Sequence, residues 1–141
     1  MALRATQTPD ISHEQDAWAD DLLDRVHART IRASTSEMAA FLQDLVGQKL
    51  TAVMAGIDDP KAVGKWARGE RQPRGDAARR LRDAFQVATL LTLGESAETA
   101  QVWLMGMNPH LDDQAPATVF AEYPDGGARA MRAARAFLAH G

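Results

Sequence analysis

Apolar residues recur along this chain at intervals of three and four, the spacing that lines one side of an α-helix. Trp18, Leu22 and Val26 form the first stripe, behind Ser12 and Gln15 at capping-box spacing, and predict a helix ending near Thr30. Met38, Phe41, Leu42 and Leu45 form a second, with Ser36 expected as its cap and Gly47 as an interruption. Leu50, Val53 and Met54 continue on a short helix, and Ile57 follows just past Gly56. Asp59-Pro60 marks the next start, a capping acid before proline at the first helical position, and Gly69 marks its stop. Pro73 and Gly75 make a loop, after which Asp76 is expected to cap a longer helix through Leu81, Phe85, Ala88 and Leu91, ended by Gly94. Beyond Ser96 a helix carries Val102, Trp103 and Met107 and stops before Pro109. A turn-rich stretch with a short helix around Val119 leads to a last helix from about Ala128 to Leu138. Strand-like alternation is missing, so the expected fold class is all-α.

Three regions follow from this pattern: an N-terminal helical arm over 1–35, a middle unit over 36–94 and a C-terminal helical unit over 95–141. The chain has 141 residues, enough for one compact domain or two small ones. It has no apolar run near the ~20 residues that a membrane span needs. Its first residues, MALRATQTPDIS, lack the apolar stretch of a secretory signal. With no cysteine, disulfides, thiol catalysis and cysteine zinc sites are excluded. A cytoplasmic location is the expectation, with no membrane partner.

Charge changes the picture more. The net charge is −3, yet Lys61, Lys65, Arg68, Arg71, Arg74, Arg79, Arg80 and Arg82 crowd one short stretch, opposed only by Glu70 and Asp76. Eight bases less two acids leave a local +6 from half of all 16 basic residues. Asp10, Glu14, Asp16, Asp20, Asp21 and Asp24 make the N-terminal arm acidic, and the segment from Glu95 to Asp125 is acidic too. A basic island between acidic flanks is either a solvated charge run or a site for a polyanion.

Helical spacing favours the second. Lys61, Gly64, Lys65 and Arg68 share one face, while Ala62, Val63, Trp66 and Ala67 share the other, with Val63 and Trp66 as bulky anchors. A basic face with little side-chain bulk, on a firmly anchored helix, suits insertion into the major groove of double-stranded DNA. Gly64 is expected on the open face, where it permits close approach at ~1 kcal/mol of helix propensity. Gln48 and Lys49, at the start of the preceding helix, offer donors to a backbone phosphate. Arg71 and Arg74, in the following loop, are placed to grip the flanking backbone. Ala52 is a small residue where two short helices are expected to cross closely.

These residues resemble a known family. GKWARGERQP is similar to the end of the recognition helix and the following loop in Xre, or lambda-repressor-like, helix-turn-helix proteins. Trp66, Gly69 and Pro73 match that pattern, as do Ala52 and Gly56. The turn IDDPK is one residue longer than usual, and Ala67 stands where an acidic residue is usual. The resemblance implies a lambda-repressor-like DNA-binding unit over 36–94 with a small helical domain behind it.

The C-terminal third resembles the toxin-binding domain of Xre/MbcA/ParS-type antitoxins. The positions that carry the likeness are Trp103, Asn108, Leu111, Pro116, Gly126 and Gly127. It implies an antitoxin of a type II toxin-antitoxin system, whose partner is a RES-domain, NAD-consuming toxin. In that family the C-terminal domain covers the toxin's active-site entrance, and the protein binds its operator to repress its own operon as a transcription regulator. Partner contacts are expected at Trp103, Asn108, Leu111, Pro116, Phe120, Arg129, Arg132 and Arg135. On residue chemistry alone, Trp103, Met105, Met107, Leu111, Val119 and Phe120 fit either an interface or a satellite core.

Enzyme chemistry finds no support in the sequence. There is no nucleophile elbow, phosphate loop or zinc-protease motif, and His13, His27, His110 and His140 are scattered. His110 beside Asp112 and Asp113 reads as a polar turn, and no metal or cofactor is expected. The N-terminal helix either packs on the middle unit or dimerises, as proteins reading paired half-sites do. A homo-oligomer or a hetero-oligomer with the toxin is therefore expected. The alternative function is a stand-alone Xre-family regulator with a C-terminal dimerisation or effector domain.

Overall fold

The computed structural model describes residues 11–140, with side chains from Ala17 onward. Seven helices follow one another, and no strand occurs among the described residues. They are α1 (Ile11–Arg32), α2 (Thr35–Ala55), α3 (Pro60–Ala67), α4 (Asp76–Gly94), α5 (Ala97–Met105), α6 (Pro116–Glu122) and α7 (Gly126–His140), with a 3-10 turn at Pro109–Leu111. The all-α expectation holds.

Cap chemistry explains most of the boundaries. Ser34, not Ser36, caps α2: its hydroxyl accepts from the Glu37 amide while the Glu37 carboxylate accepts from the Ser34 amide. Both residues can cap, but only Ser34 has an acid at the third helical position to complete the reciprocal pair. Asp59 caps α3 as expected, accepting from the Lys61 amide, and Ser96 caps α5, accepting from the Thr99 amide. Gly75, with φ 56°, rather than Asp76, precedes α4, and no side chain caps that helix. The expected pairing of Ser12 with Gln15 lies outside the described side chains.

Gly47 does what its position predicted. Its φ of 90° and ψ of 167° break α2 into two arms, 35–46 and 48–55, in a conformation that a side chain would oppose. The kink frees the Leu45 carbonyl, which accepts from Gln101 Nε2 of α5 at 2.8 Å. The break is thus sealed by a residue 56 positions away. At the end of the second arm Gly56 is left-handed, and the amides of Gly56 and Ile57 donate to Val53 and Ala52. This double closure turns the chain sharply into α3.

Helix α4 is the hub, touching α1, α2, α5, α6 and α7. Residues Val87 to Leu91 are buried in succession, so its C-terminal half is covered on all sides. Phe41 meets Phe85 edge-on at 5.3 Å, tying the first arm of α2 to α4. One buried cluster runs from Leu22 and Val26 of α1 to Ala130, Ala133 and Ala134 of α7. Helix α3 joins it through Val63 and Trp66, buried as expected, and truncating such a tryptophan costs about 3–5 kcal/mol. Ala52, Ala55 and Ala62 keep α2 and α3 close.

Helix α7 begins against the backbone of α6. A Cβ at Gly126 would lie 2.1 Å from the Val119 carbonyl oxygen and 2.9 Å from Phe120 Cα. Neither atom can rotate away, so only glycine fits there.

Candidate functional site

The basic face of α3 forms as the spacing predicted. Lys61, Lys65 and Arg68 are exposed, and Ala62, Val63 and Trp66 are buried. Lys49 is exposed at the start of the second α2 arm, and Arg71 and Arg74 are exposed in the loop between α3 and α4. Lys49, Lys61, Lys65, Arg71 and Arg74 form no ion pair among the described residues.

Two features alter this face. Gly64 is buried, not open: a Cβ there would stand 2.6 Å from Gln48 Nε2 and 3.2 Å from an Arg68 terminal nitrogen. Gln48 donates to Gln43 Oε1 at 2.9 Å, across the Gly47 kink, and its amide lies over Gly64. The missing side chain makes room for a glutamine of this same chain, and that packing accounts for a glycine in mid-helix. Arg68 is the second change. It pairs with Glu70, whose carboxyl is held below the usual range by the hydrogen bond and charge of the guanidinium, while the Arg68 pKa is raised in turn.

The rest of the basic island is less free than its sequence suggests. Arg79 lies between Asp76 and Asp83, 3.7 Å from each. Burial pushes the Asp83 carboxyl up, against the opposing charges of Arg79 and Arg82. Arg80 folds back over Gly56, its Nε buried without a partner. Of the eight basic residues, Arg68, Arg79 and Arg80 are therefore engaged internally, and the exposed charge concentrates on α3 and the loop after it.

The C-terminal expectations divide more sharply. Trp103, Asn108, Leu111, Pro116 and Phe120 are all buried and belong to the fold's interior. Asn108 accepts from the His110 amide, and its carbonyl accepts from the amides of Leu111 and Asp113, so it builds the 3-10 turn. Burial keeps most of their surface from a partner, although Trp103 and Asn108 edge the groove beside Val102 and Leu111 edges a polar cleft beside α7. The large apolar residues exposed in this third of the chain are Val102 at 71%, Met105 at 57% and Met107 at 81%. Val102 was missed, although burial of Ala100, Trp103 and Leu104 at helical spacing leaves position 102 on the opposite side. Val102, Met107 and Phe137 line a groove of about 400 Å³ with Glu98 at its edge.

Arg129, Arg132 and Arg135 lie on α7, but the structure separates them. Arg129 and Arg132 line a polar cleft with His110, whereas Arg135 borders an apolar groove with Trp18, Leu22 and Leu138. Trp18 is half exposed there, so the α1 stripe is buried only at Leu22 and Val26. Among the described residues no cluster of three His, Asp or Glu side chains could hold a metal ion. No described helix is long and apolar enough to cross a membrane.

Comparison with family models, with curated proteins and with solved structures returned no match to this chain.

Proposed function

We propose that this protein is a DNA-binding antitoxin. The second arm of α2 and α3 act as a lambda-repressor-like helix-turn-helix, with α3 as the helix that enters the major groove of operator DNA. The observation that carries the DNA reading is the two-sided build of α3: Lys61 and Lys65 stand free on one side, while Val63 and Trp66 fix the other in the core. Lys49, Arg71 and Arg74 supply further cations on the same unit, suited to phosphates on either side of the groove. Arg68 reaches a phosphate by exchanging Glu70 for it.

The C-terminal helices supply the second half of the function, neutralising a RES-domain toxin by covering its active site. The support is the resemblance of their sequence order, together with the exposed group Val102, Met105 and Met107, an adaptable apolar surface of the kind that partners bury. This centres the apolar partner contacts on Val102, Met105 and Met107, with Trp103 at the edge of their groove, rather than on Leu111 and Phe120. Co-expression with the product of the neighbouring gene tests the reading. Growth is expected to be rescued by the wild-type chain and weakened by Val102→Asp with Met107→Asp. A neighbouring toxin that stays fully lethal beside the wild-type chain overturns the antitoxin reading and leaves a stand-alone regulator.

A further inference from the structure

A polar cleft of about 320 Å³ lies between the 3-10 turn, the corner joining α6 to α7, and the first two turns of α7. Its walls are side chains already fixed by one another. Tyr123 donates its hydroxyl to Gln114 Oε1 at 2.8 Å, and Gln114 donates to Glu122 at 2.9 Å. The Arg129 guanidinium sits 4.2 Å above the Tyr123 ring, and its Nε donates to Asp125 Oδ1 at 2.8 Å. Asp125 takes only that one nitrogen, so no described side chain engages the two terminal nitrogens of Arg129. Arg132, one turn further along α7, is exposed and forms no ion pair among the described residues. His110 also lines the cleft.

The far rim is set by the turn that carries Asp112. Asp112 and Asp113 both adopt positive φ, 54° and 63°, a backbone that residues with side chains rarely take in succession. The turn is closed by the amides of Leu111 and Asp113 donating to the Asn108 carbonyl, both at 2.9 Å. A built, partly strained wall facing a guanidinium held from two sides is a preorganised recognition element.

From this geometry we infer that the cleft receives one carboxylate, carried on an acidic side chain of a partner protein, bridged between the free nitrogens of Arg129 and the guanidinium of Arg132. Guanidinium forks match carboxylates and phosphates alike, so the choice between them rests on charge. Arg129 and Arg132 are offset in the lining by Asp112 and Asp125. With those two acids in the lining, a phosphate dianion or a nucleic-acid backbone meets more repulsion than a carboxylate does. The inference rests on reading the C-terminal helices as a partner surface, but its test needs neither toxin nor DNA.

The probe is a short N-acetylated, C-amidated peptide with one central glutamate, titrated into the 15N-labelled full chain and followed by backbone and arginine Nε resonances. The glutamate peptide is expected to shift signals of residues 110–114 and 126–133, while the glutamine version of the peptide leaves them unmoved. Arg132→Gln should weaken the binding at least about fivefold, as expected for loss of a charge-assisted pair. Asp112→Asn, tolerated at positive φ, should strengthen it by removing a like charge, a change of sign that a merely structural role would not produce. No shift with the glutamate peptide, or equal shifts with the glutamine one, overturns the cleft while leaving the DNA and toxin readings standing. Tighter binding of a phosphoserine peptide, or of inorganic phosphate, overturns the preference for a single charge.

Discussion

The α3 face and the α7 cleft both depend on cationic side chains, yet they hold them in opposite ways. On α3, Lys61 and Lys65 are exposed and, among the described residues, form no ion pair, as is also true of the nearby Lys49, Arg71 and Arg74. At α7, Arg129 is pinned by Asp125 and Tyr123, and acids in the lining nearly balance the charge. The first arrangement suits a partner with many charges in a row, because charge density sets the attraction and exact placement matters little. The second suits a partner with one charge in one place, because the geometry is fixed and the long-range field is small. A count of arginines would treat the two alike.

Salt should separate them most widely. Five exposed cations, each neutralising one phosphate at a slope of about 0.9, give roughly a five-hundredfold loss of DNA affinity between 50 and 200 mM salt. Binding of the single-glutamate peptide should fall by less than about fourfold over the same range, since one screened pair is at stake. Fluorescence anisotropy for DNA and resonance shifts for the peptide read both. Parallel slopes would erase the distinction.

Gly126→Ala addresses the cleft from beneath. Its methyl group meets the carbonyl of Val119, so the start of α7 must shift at a cost of about 1–3 kcal/mol. Thermal unfolding should show the loss, and peptide binding should weaken more than DNA binding. Equal losses at both sites would mean that the shared α4 core transmits the shift throughout.

Glu70→Gln sharpens the other side. It releases Arg68 from its internal partner and removes an acid near the phosphates, so DNA affinity should rise about two- to fivefold. No rise would remove Arg68 from the interface. The smallest effect concerns pH and involves neither site. The Glu37 carboxyl is held below its ordinary value by the Ser34 amide, so the folded state binds its proton less readily than the unfolded state does. Its contribution is present above the ordinary glutamate range and is lost as pH falls through that range and below. Melting of wild type and Glu37→Ala should therefore differ at neutral pH and converge in acid.

Much of the fold was legible because helix boundaries are local chemistry. Asp59-Pro60, Ser96, Gly47 and Gly56 act through neighbours within five residues, and sequence shows all of those. The two-sided α3 was legible for the same reason, since its faces follow from spacing alone. Burial in the C-terminal third was not, because α4 and α7 decide it: Trp103 and Phe120 look like an interface until those helices cover them. Gly64 was misplaced because Gln48, reaching in from α2, occupies the space above it. Arg129 and Arg132 were expected at a partner surface, but not the cleft around them, because its walls come from positions 110–119 and 123–133, brought together only by the fold.

Titration of Lys65→Ala/Arg68→Ala into labelled DNA from upstream of the protein's own coding region tests the central claim most directly, with Arg132→Gln as control. The account predicts that the double variant loses at least about tenfold in affinity at unchanged thermal stability, while the control binds as wild type does. Wild-type affinity in the double variant, or wild-type protein that binds this DNA no better than an unrelated sequence, would contradict the assignment of α3 as the operator-reading helix.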